Sequence, residues 1–363
     1  MKGRVLTSCD LELWGELLKR IPLDQHEPHF LPSYNLLFEK QGQGTATCFI
    51  HQEGDDIAMY PYLVKSINDL GYDLPKRYYD IQGAYGYNGF LTNNHQPDFL
   101  DKAGKAFCNY CCESNIVAEF IRFNPITGNH RFHTYLTPLK ILDNVLIDLT
   151  PDLEKIWSDS FDKGVRKAIR YGLNHNLRAE ILTGPNITQR NIADFQRIYH
   201  STMARNEADE FYFFNETFFQ EVFDNLPDNV VLAFTYHENN PISTEMILHG
   251  ARNAYGFLGG TLREYYSMSP NSFLRYEIIK ALKEKGIRNY SIGGGQQPSD
   301  SIYKFKKSFA RNTQSDFYIG KVIHDQEVYA LIAEQWKLRY PESYSSFRNR
   351  VLGYREIKSH SHA

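Results

Sequence analysis

The pattern of apolar and polar positions is clearest in the second half of the chain. "NLRAEILTG" (176–184) has the composition of a strand, and helical spacing follows over about 189–206 and 215–225. Next come "NVVLAFTYHE" (229–238), "ISTEMILHG" (242–250) and "NAYGFLGGTL" (253–262), with turn residues such as Asn239-Asn240-Pro241 between them. Three short strands so punctuated predict an antiparallel meander. In "SPNSFLRYEIIKALKEKG", Leu274, Ile278 and Leu282 form an apolar stripe at helical spacing. Ser269 or Asn271 caps this helix, Pro270 suits its first turn, and Gly286 is a fitting stop. "IRNYSIGG" predicts another strand, "IYKFKKSFA" a short helix and "QSDFYIG" a last strand. The first half predicts helices near 10–20 and 33–40, strands near 44–52, 56–66 and 78–82, a helix at 97–114 and a strand at 116–123.

Two helical stretches carry charge in a telling way. In "PDLEKIWSDSFDKGVRKAIRYGLN", Trp157, Phe161, Val165, Ile169 and Leu173 make an apolar arc at about 100° per residue. Lys163, Arg166, Lys167 and Arg170 fall on the opposite side. A solvated basic face is the plain reading. An anion-binding face is the sharper one, because four cations with no interleaved acid repel one another. In "IYKFKKSFA", Ile302, Phe305 and Phe309 define the expected buried face, and Lys304 and Lys307 project away from it. Lys306 lies about 40° from Ile302, on the apolar side, so it must send its ammonium into a cleft, find a partner or snorkel to water.

Composition narrows the field. At 363 residues the chain exceeds what one hydrophobic core usually holds, so two domains are expected. A net charge of −3 argues against a general nucleic-acid coat. No apolar run reaches the roughly 18–20 residues that cross a bilayer. "MKGRVLTSCDLELWGE" places acids where a signal peptide needs an apolar core, so a cytoplasmic location is expected. The five cysteines lack a framework spacing and read as reduced thiols, with those of "CNYCC" as small apolar residues of a helix. No second Cys or His pair complements them, so no metal is expected. "SIGGGQQPSDSIYKFKKSFA" fails as a phosphate loop, because its glycines stand too far from Lys307-Ser308.

The predicted order of the second half is strand, two helices, three strands, helix, strand, helix, strand. It resembles the GCN5-related N-acyltransferase (GNAT) topology, and the first half shows a looser version. The expected fold class is therefore α/β (α+β), with two tandem GNAT-like domains built on mixed, mainly antiparallel sheets. The expected division is 1–150, then 151–320 including a linking helix at 151–175, then C-terminal helices at 321–363 packing back on the first domain.

Several stretches together resemble FemAB-type proteins. They are "FLGGTLREYYSMSPNSFLRYEIIKALKEKGIRNYSIGGG" with "DSIYKFKKSFA", "FDKGVRKAIRYGL", "AEFIRFNPI" and "GAYGYNGF". The resemblance implies transfer of an acyl or aminoacyl group to an amine of a cell-envelope glycan or peptidoglycan precursor, small or lipid-linked. FemAB proteins take the group from aminoacyl-tRNA, whereas relatives of this length are thought to use acyl-CoA. An acyl-CoA donor such as acetyl-CoA is the main expectation and aminoacyl-tRNA the alternative. A non-catalytic binding protein for an anionic glycan or nucleotide is the alternative of another class. DNA is not an expected partner, and any membrane contact would be peripheral. The resemblance also implies phosphate recognition by Arg166, Lys167 and Arg170, a place for Lys306 in the donor or acceptor cleft, and a substrate groove lined by Tyr85, Tyr87, Arg122 and Asn124 between the domains. This chain departs from the family at Asn124, where His is usual, at Ala84, where Ser-Pro is usual, and at Ser301, where Gly is frequent. The R/Q-x-x-G-x-G/A pattern that cradles CoA pyrophosphate is absent, and "YYSMSPNSF" stands in its place. The helix start at Asn271 and Ser272 still offers N–H groups to a pyrophosphate.

Acyl transfer needs a neutral amine, donors for the carbonyl and a destination for a proton. The acid best placed as base is Glu245, on a strand face shared with Ser243 and Ile247. The same carboxylate could instead brace the groove through a hydrogen bond. Glu119, beside Val117, Ile121 and Phe123, poses the same choice.

Overall fold

The computed structural model of the chain describes residues 3–357. The first half runs β1 (Arg4–Thr7), α1 (Leu11–Leu18), α2 (Pro32–Lys40), β2 (Thr45–Glu53), β3 (Asp56–Ser66), β4 (Tyr79–Gln82), β5 (Leu91–Thr92), α3 (Pro97–Glu113), β6 (Ile116–Arg122), β7 (Leu139–Asn144) and β8 (Leu146–Asp148). Then come α4 (Leu153–Lys155), widening into a π-helical turn at Ile156–Ser160, and α5 (Lys163–Asn174). The rest runs β9 (Arg178–Thr183), α6 (Gln189–Arg205), α7 (Glu216–Asn225), β10 (Val230–His237), β11 (Asn240–His249), β12 (Asn253–Thr261), α8 (Pro270–Glu284), β13 (Asn289–Ser291), α9 (Ser301–Lys307), β14 (Ser315–Ile323), α10 (Gln326–Arg339) and α11 (Pro341–Phe347).

The chain divides into two compact units. One comprises residues 1–25, 29–141 and 318–363, and the other residues 26–28 and 142–317. The first sheet is eight-stranded, in the order β1-β2-β3-β4-β6-β14-β7, with β5 pairing β3. Its one parallel pair in the described registers is β4 with β6. The second sheet is six-stranded, in the order β8-β13-β12-β11-β10-β9, with β12 and β13 parallel. Both sheets are mixed and mainly antiparallel, as expected.

Strand periodicity explains the layers of the first unit. On β2, Phe49 faces a core containing Phe107 and Cys111 of α3, while Cys48 and Ile50 face one containing Trp14 and Leu17 of α1. The three cysteines of α3 do not share one environment: Cys111 is buried, Cys108 is half-buried and Cys112 is exposed. A third cluster joins Val328, Ile332 and Trp336 of α10 to Ile67, Tyr72 and Val117. There Arg355 binds the buried Asp80 carboxylate at 2.7 Å, and the Tyr354 hydroxyl donates to it at 2.7 Å. In the second unit, Leu274, Ile278 and Leu282 of α8 and Val165 and Ile169 of α5 pack on Val231, Ile247 and Tyr290. On the other face Gly260 lets α6 approach β12 closely, since a Cβ there would meet the Ile198 carbonyl oxygen and the Thr202 Oγ1 at 2.7 Å each.

Three expectations change. The strand "QSDFYIG" (β14) does not finish the second sheet but pairs antiparallel with β6, and β8, from before the basic helix, flanks β13 instead. The linking helix is not continuous, because Phe161 is extended at ψ 136°. Arg166 helps satisfy the carbonyls at the break: its Nη1 donates to those of Trp157, Ser158 and Phe161, and Arg311 also donates to that of Ser158. Leu173, the last residue of the predicted arc, is exposed. Phe309, just past α9, is buried, but Ile302 and Phe305 of α9 are exposed, and Lys307 is half-buried, donating to the Thr313 carbonyl at 2.8 Å.

Candidate functional site

The second unit offers its chemistry where β12 and β13 part. Their parallel register covers only Asn253–Tyr255 against Asn289–Ser291, while β12 runs on to Thr261. On its other side β12 carries a bulge: Leu258 opposes Met246 and Gly256 opposes Ile247, which leaves Phe257 as the extra residue. At the parting point the missing side chain of Gly256 makes room for a carboxylate. A Cβ there would stand 2.9 Å from Glu245 Oε1 and 3.7 Å from the Ile292 Cα.

Glu245 is buried and both its oxygens are engaged. The Tyr290 hydroxyl donates to Oε1 at 2.6 Å, and Arg275 Nη2 donates to Oε2 at 3.0 Å. Arg275 is itself buried, and its guanidinium lies 5.7 Å from the Phe305 ring centre and 5.3 Å from that of Phe309. Beside this group stands Lys306. Its Nζ donates to the Gly294 carbonyl at 2.8 Å and would be 3.3 Å from a Cβ on Gly293, which adopts φ +71°. Burial first, and then the Arg275 cation, push the Lys306 ammonium down from 10.5 to about 8. Asp300 fixes the loop before α9: its carboxylate accepts from the N–H groups of Gln296, Gln297 and Tyr303 at 2.7, 3.0 and 2.7 Å.

A cavity of about 510 Å³ opens at the N-terminus of α8, lined by Thr202, Arg205, Gly260, Tyr266, Asn271 and Phe305 among others. Ser272 also lines it. Ser269, the residue before α8, is held left-handed at φ 52°, and Pro270 brings no N–H. The buried Asn271 Oδ1 has no hydrogen-bond partner among the described residues.

The remaining predicted residues separate into two groups. Lys167 and Arg170 are exposed on α5 with Lys163, and Arg170 stacks 5.3 Å from the Trp157 ring centre. Arg166 is instead committed to backbone carbonyls. In the first unit, Tyr85 and Tyr87 are half-buried on the loop 83–90. The Tyr34 hydroxyl donates to the Tyr85 carbonyl, and the Tyr87 ring lies 5.0 Å from that of His29, which burial keeps neutral with a pKa of about 3. Arg122 is exposed, whereas Asn124 is fully buried and its Oδ1 accepts from the N–H groups of Ile126 and Thr127. Glu119 is also engaged, its Oε1 accepting from Tyr60 at 2.7 Å and Tyr135 at 2.9 Å and its Oε2 lying 3.1 Å from His324 Nε2.

Sequence reasoning missed Arg275 and Tyr290. Arg275 left a trace, standing three and four residues before Ile278 and Ile279 on the apolar side of α8. Among the described residues no group of His, Cys, Asp or Glu could hold a metal ion, and no helix is long and apolar enough to cross a membrane.

Residues 159–307 match the family model of the acetyltransferase (GNAT) domain. No curated protein matches the sequence. Among solved structures, FemX superposes with a TM-score of 0.66 at 13% identity, covering 92% of this chain and 100% of that one. The C-terminal domain of a putative lysylphosphatidylglycerol synthetase from Agrobacterium fabrum gives 0.55 at 14% identity, covering 89% and 94%. L-PGS from Bacillus licheniformis gives 0.56 at 12% identity, covering 88% and 94%. The protein has the fold of the GNAT/FemAB-like acyltransferases, with tandem GNAT-like units.

Proposed function

We propose that the protein is a FemAB-type aminoacyltransferase, taking an aminoacyl group from aminoacyl-tRNA and forming an amide on an amine of a cell-envelope precursor such as a peptidoglycan bridge. The observation that carries this reading is the half-buried Lys306, whose Nζ sits on the Gly294 carbonyl just past β13 and which follows Phe305 of the cavity lining, in a chain that lacks the R/Q-x-x-G-x-G/A pattern of a CoA pyrophosphate loop. In the transfer the amine nitrogen attacks the ester carbonyl, the C–N bond forms and the ester C–O bond breaks. The nitrogen gives up a proton and the departing ribose oxygen takes one. An ammonium with a pKa of about 8 has both forms accessible near neutral pH, so Lys306 can give its proton to the leaving oxygen and recover one from the amine. Lys163, Lys167 and Arg170 supply an exposed positive face for RNA or pyrophosphate oxygens.

The likeness to FemX over nearly the whole of both chains supports the tRNA donor, as does the likeness to synthetases named for a lysyl product. The main expectation of an acyl-CoA donor becomes the second reading, favoured by the GNAT-domain match and by the first-turn N–H groups of Asn271 and Ser272. Calorimetric titration with charged tRNA, uncharged tRNA and acetyl-CoA separates them. The tRNA reading expects binding of charged tRNA that weakens steeply with salt, and no heat with acetyl-CoA. The reverse result assigns the donor to CoA, and no heat with any of the three supports the non-catalytic alternative. Lys306→Ala is expected to lower turnover by about 100-fold or more with the fold intact, checked by single-turnover kinetics and circular dichroism.

A further inference from the structure

Helix α9 is short, and Tyr303 is its side chain packed against the second unit's core. It spans only seven residues, none of them buried, and it exposes Ile302 and Phe305. Arg275 adds to that contact. Its guanidinium is fixed on one side by the Glu245 carboxylate, and it lies within 5.7 Å of the ring centres of Phe305 and Phe309, on either side of Lys306 in the sequence. The anchor is in turn held by Tyr290, whose hydroxyl binds the other Glu245 oxygen. We infer that Arg275 is a positioning residue, which through Glu245 and Tyr290 holds α9 and sets the orientation and charge state of Lys306, and that Glu245 serves as its counter-ion. Each Glu245 oxygen accepts a hydrogen bond from inside the group, Oε1 from Tyr290 and Oε2 from Arg275. This inference rests on the proposed role of Lys306 in acyl transfer, but the state of the lysine can be read without any turnover.

The groups facing Lys306 are the Arg275 cation, which disfavours its protonation, and the Glu245 and Asp300 carboxylates, which favour it. Glu245→Gln keeps the side-chain shape, turns one of the two acceptors into a donor and removes one favouring charge, so the lysine should lose its proton more readily. Arg275→Lys keeps a cation but not the planar surface that stacks on two rings. The experiment is competitive amine labelling of full-length protein across pH, read at Lys306 by mass spectrometry, with amide exchange over residues 301–309. In the unmodified protein the labelling midpoint is expected at about 8. Glu245→Gln should lower it by about one pH unit. Arg275→Lys should leave the midpoint low while exchange over α9 accelerates. The double variant E245Q/R275M removes both charges and keeps the test open should a single variant not fold, and it should raise the midpoint. A midpoint near 10.5 in the unmodified protein overturns the inference. So does a midpoint unmoved in both Glu245→Gln and the double variant. Failure of the proposed reaction appears separately, as absent transfer with these labelling shifts intact.

Discussion

Burying an ammonium costs free energy that a hydrocarbon in the same place does not, and Lys306 carries that cost. Its pKa of about 8 lies below the ordinary 10.5, so between those values the unfolded chain binds more protons than the folded one. Stability therefore rises with pH across that window, and at neutral pH the full deficit is present. Lys306→Met is expected to abolish transfer while raising unfolding free energy at pH 7 by about 1–3 kcal/mol. The gain should shrink as pH climbs from 8 toward 10.5, as urea titrations at a series of pH values would show. At this scale the sequence was partly legible. Helical spacing set Lys306 apart from Lys304, and Lys306 is half-buried with its Nζ on the Gly294 carbonyl whereas Lys304 is exposed. The same spacing misplaced Ile302 and Phe305, because a seven-residue helix gives neighbouring elements little length to cover. Arg166 looked like one member of a basic face, yet carbonyls made available by an unpredicted break consume its guanidinium. Spacing alone cannot show such a break.

Elements are where local signals and packing agree best. Most helices and strands were readable from period and punctuation, down to the Gly286 stop at φ 80° and the Pro270 start, but β1, β5, β7 and β8 were not. What punctuation cannot report is the distance between elements. Gly260 stands in a predicted strand without obvious purpose, and its reason is the α6 backbone above it. Gly260→Ala should push α6 away and destabilise the protein by about 1–3 kcal/mol, measured by chemical denaturation. Asp300 orders the loop before α9. Since its carboxylate accepts three backbone N–H groups, its pKa is held below the usual range, chiefly by the Tyr303 N–H. The order it gives the loop is present above the unfolded carboxylate pKa and fades as pH falls through the lower folded value. Asp300→Ala is expected to speed amide exchange at Gln296, Gln297 and Tyr303 and to lower turnover, while exchange in β10 and β11 stays slow.

At the scale of the whole molecule the C-terminal residues belong to the first unit's core. Asp80 is buried and depends on Arg355 and Tyr354, 275 and 274 residues away. Arg355→Ala leaves a carboxylate without its cation and should cost about 3 kcal/mol or more, seen as an earlier urea midpoint. The sequence reading had C-terminal helices over 321–363 packing back on the first domain, although no spacing in them required it. It gave no hint that β14 itself changes sheets, because pairing partners are chosen by geometry that strand composition does not encode.

That exchange of strands has a consequence for synthesis. The edge of β6 ends at Arg122, and the strand that covers it ends at Ile323. At roughly 10 residues per second, a ribosome needs about 20 s to deliver the covering strand. For that interval the nascent first sheet presents β6 without β14. Cutting the gene between the two halves would yield fragments that each lack a strand. Such fragments are expected to stay insoluble apart, and to recover folding when made together in one cell.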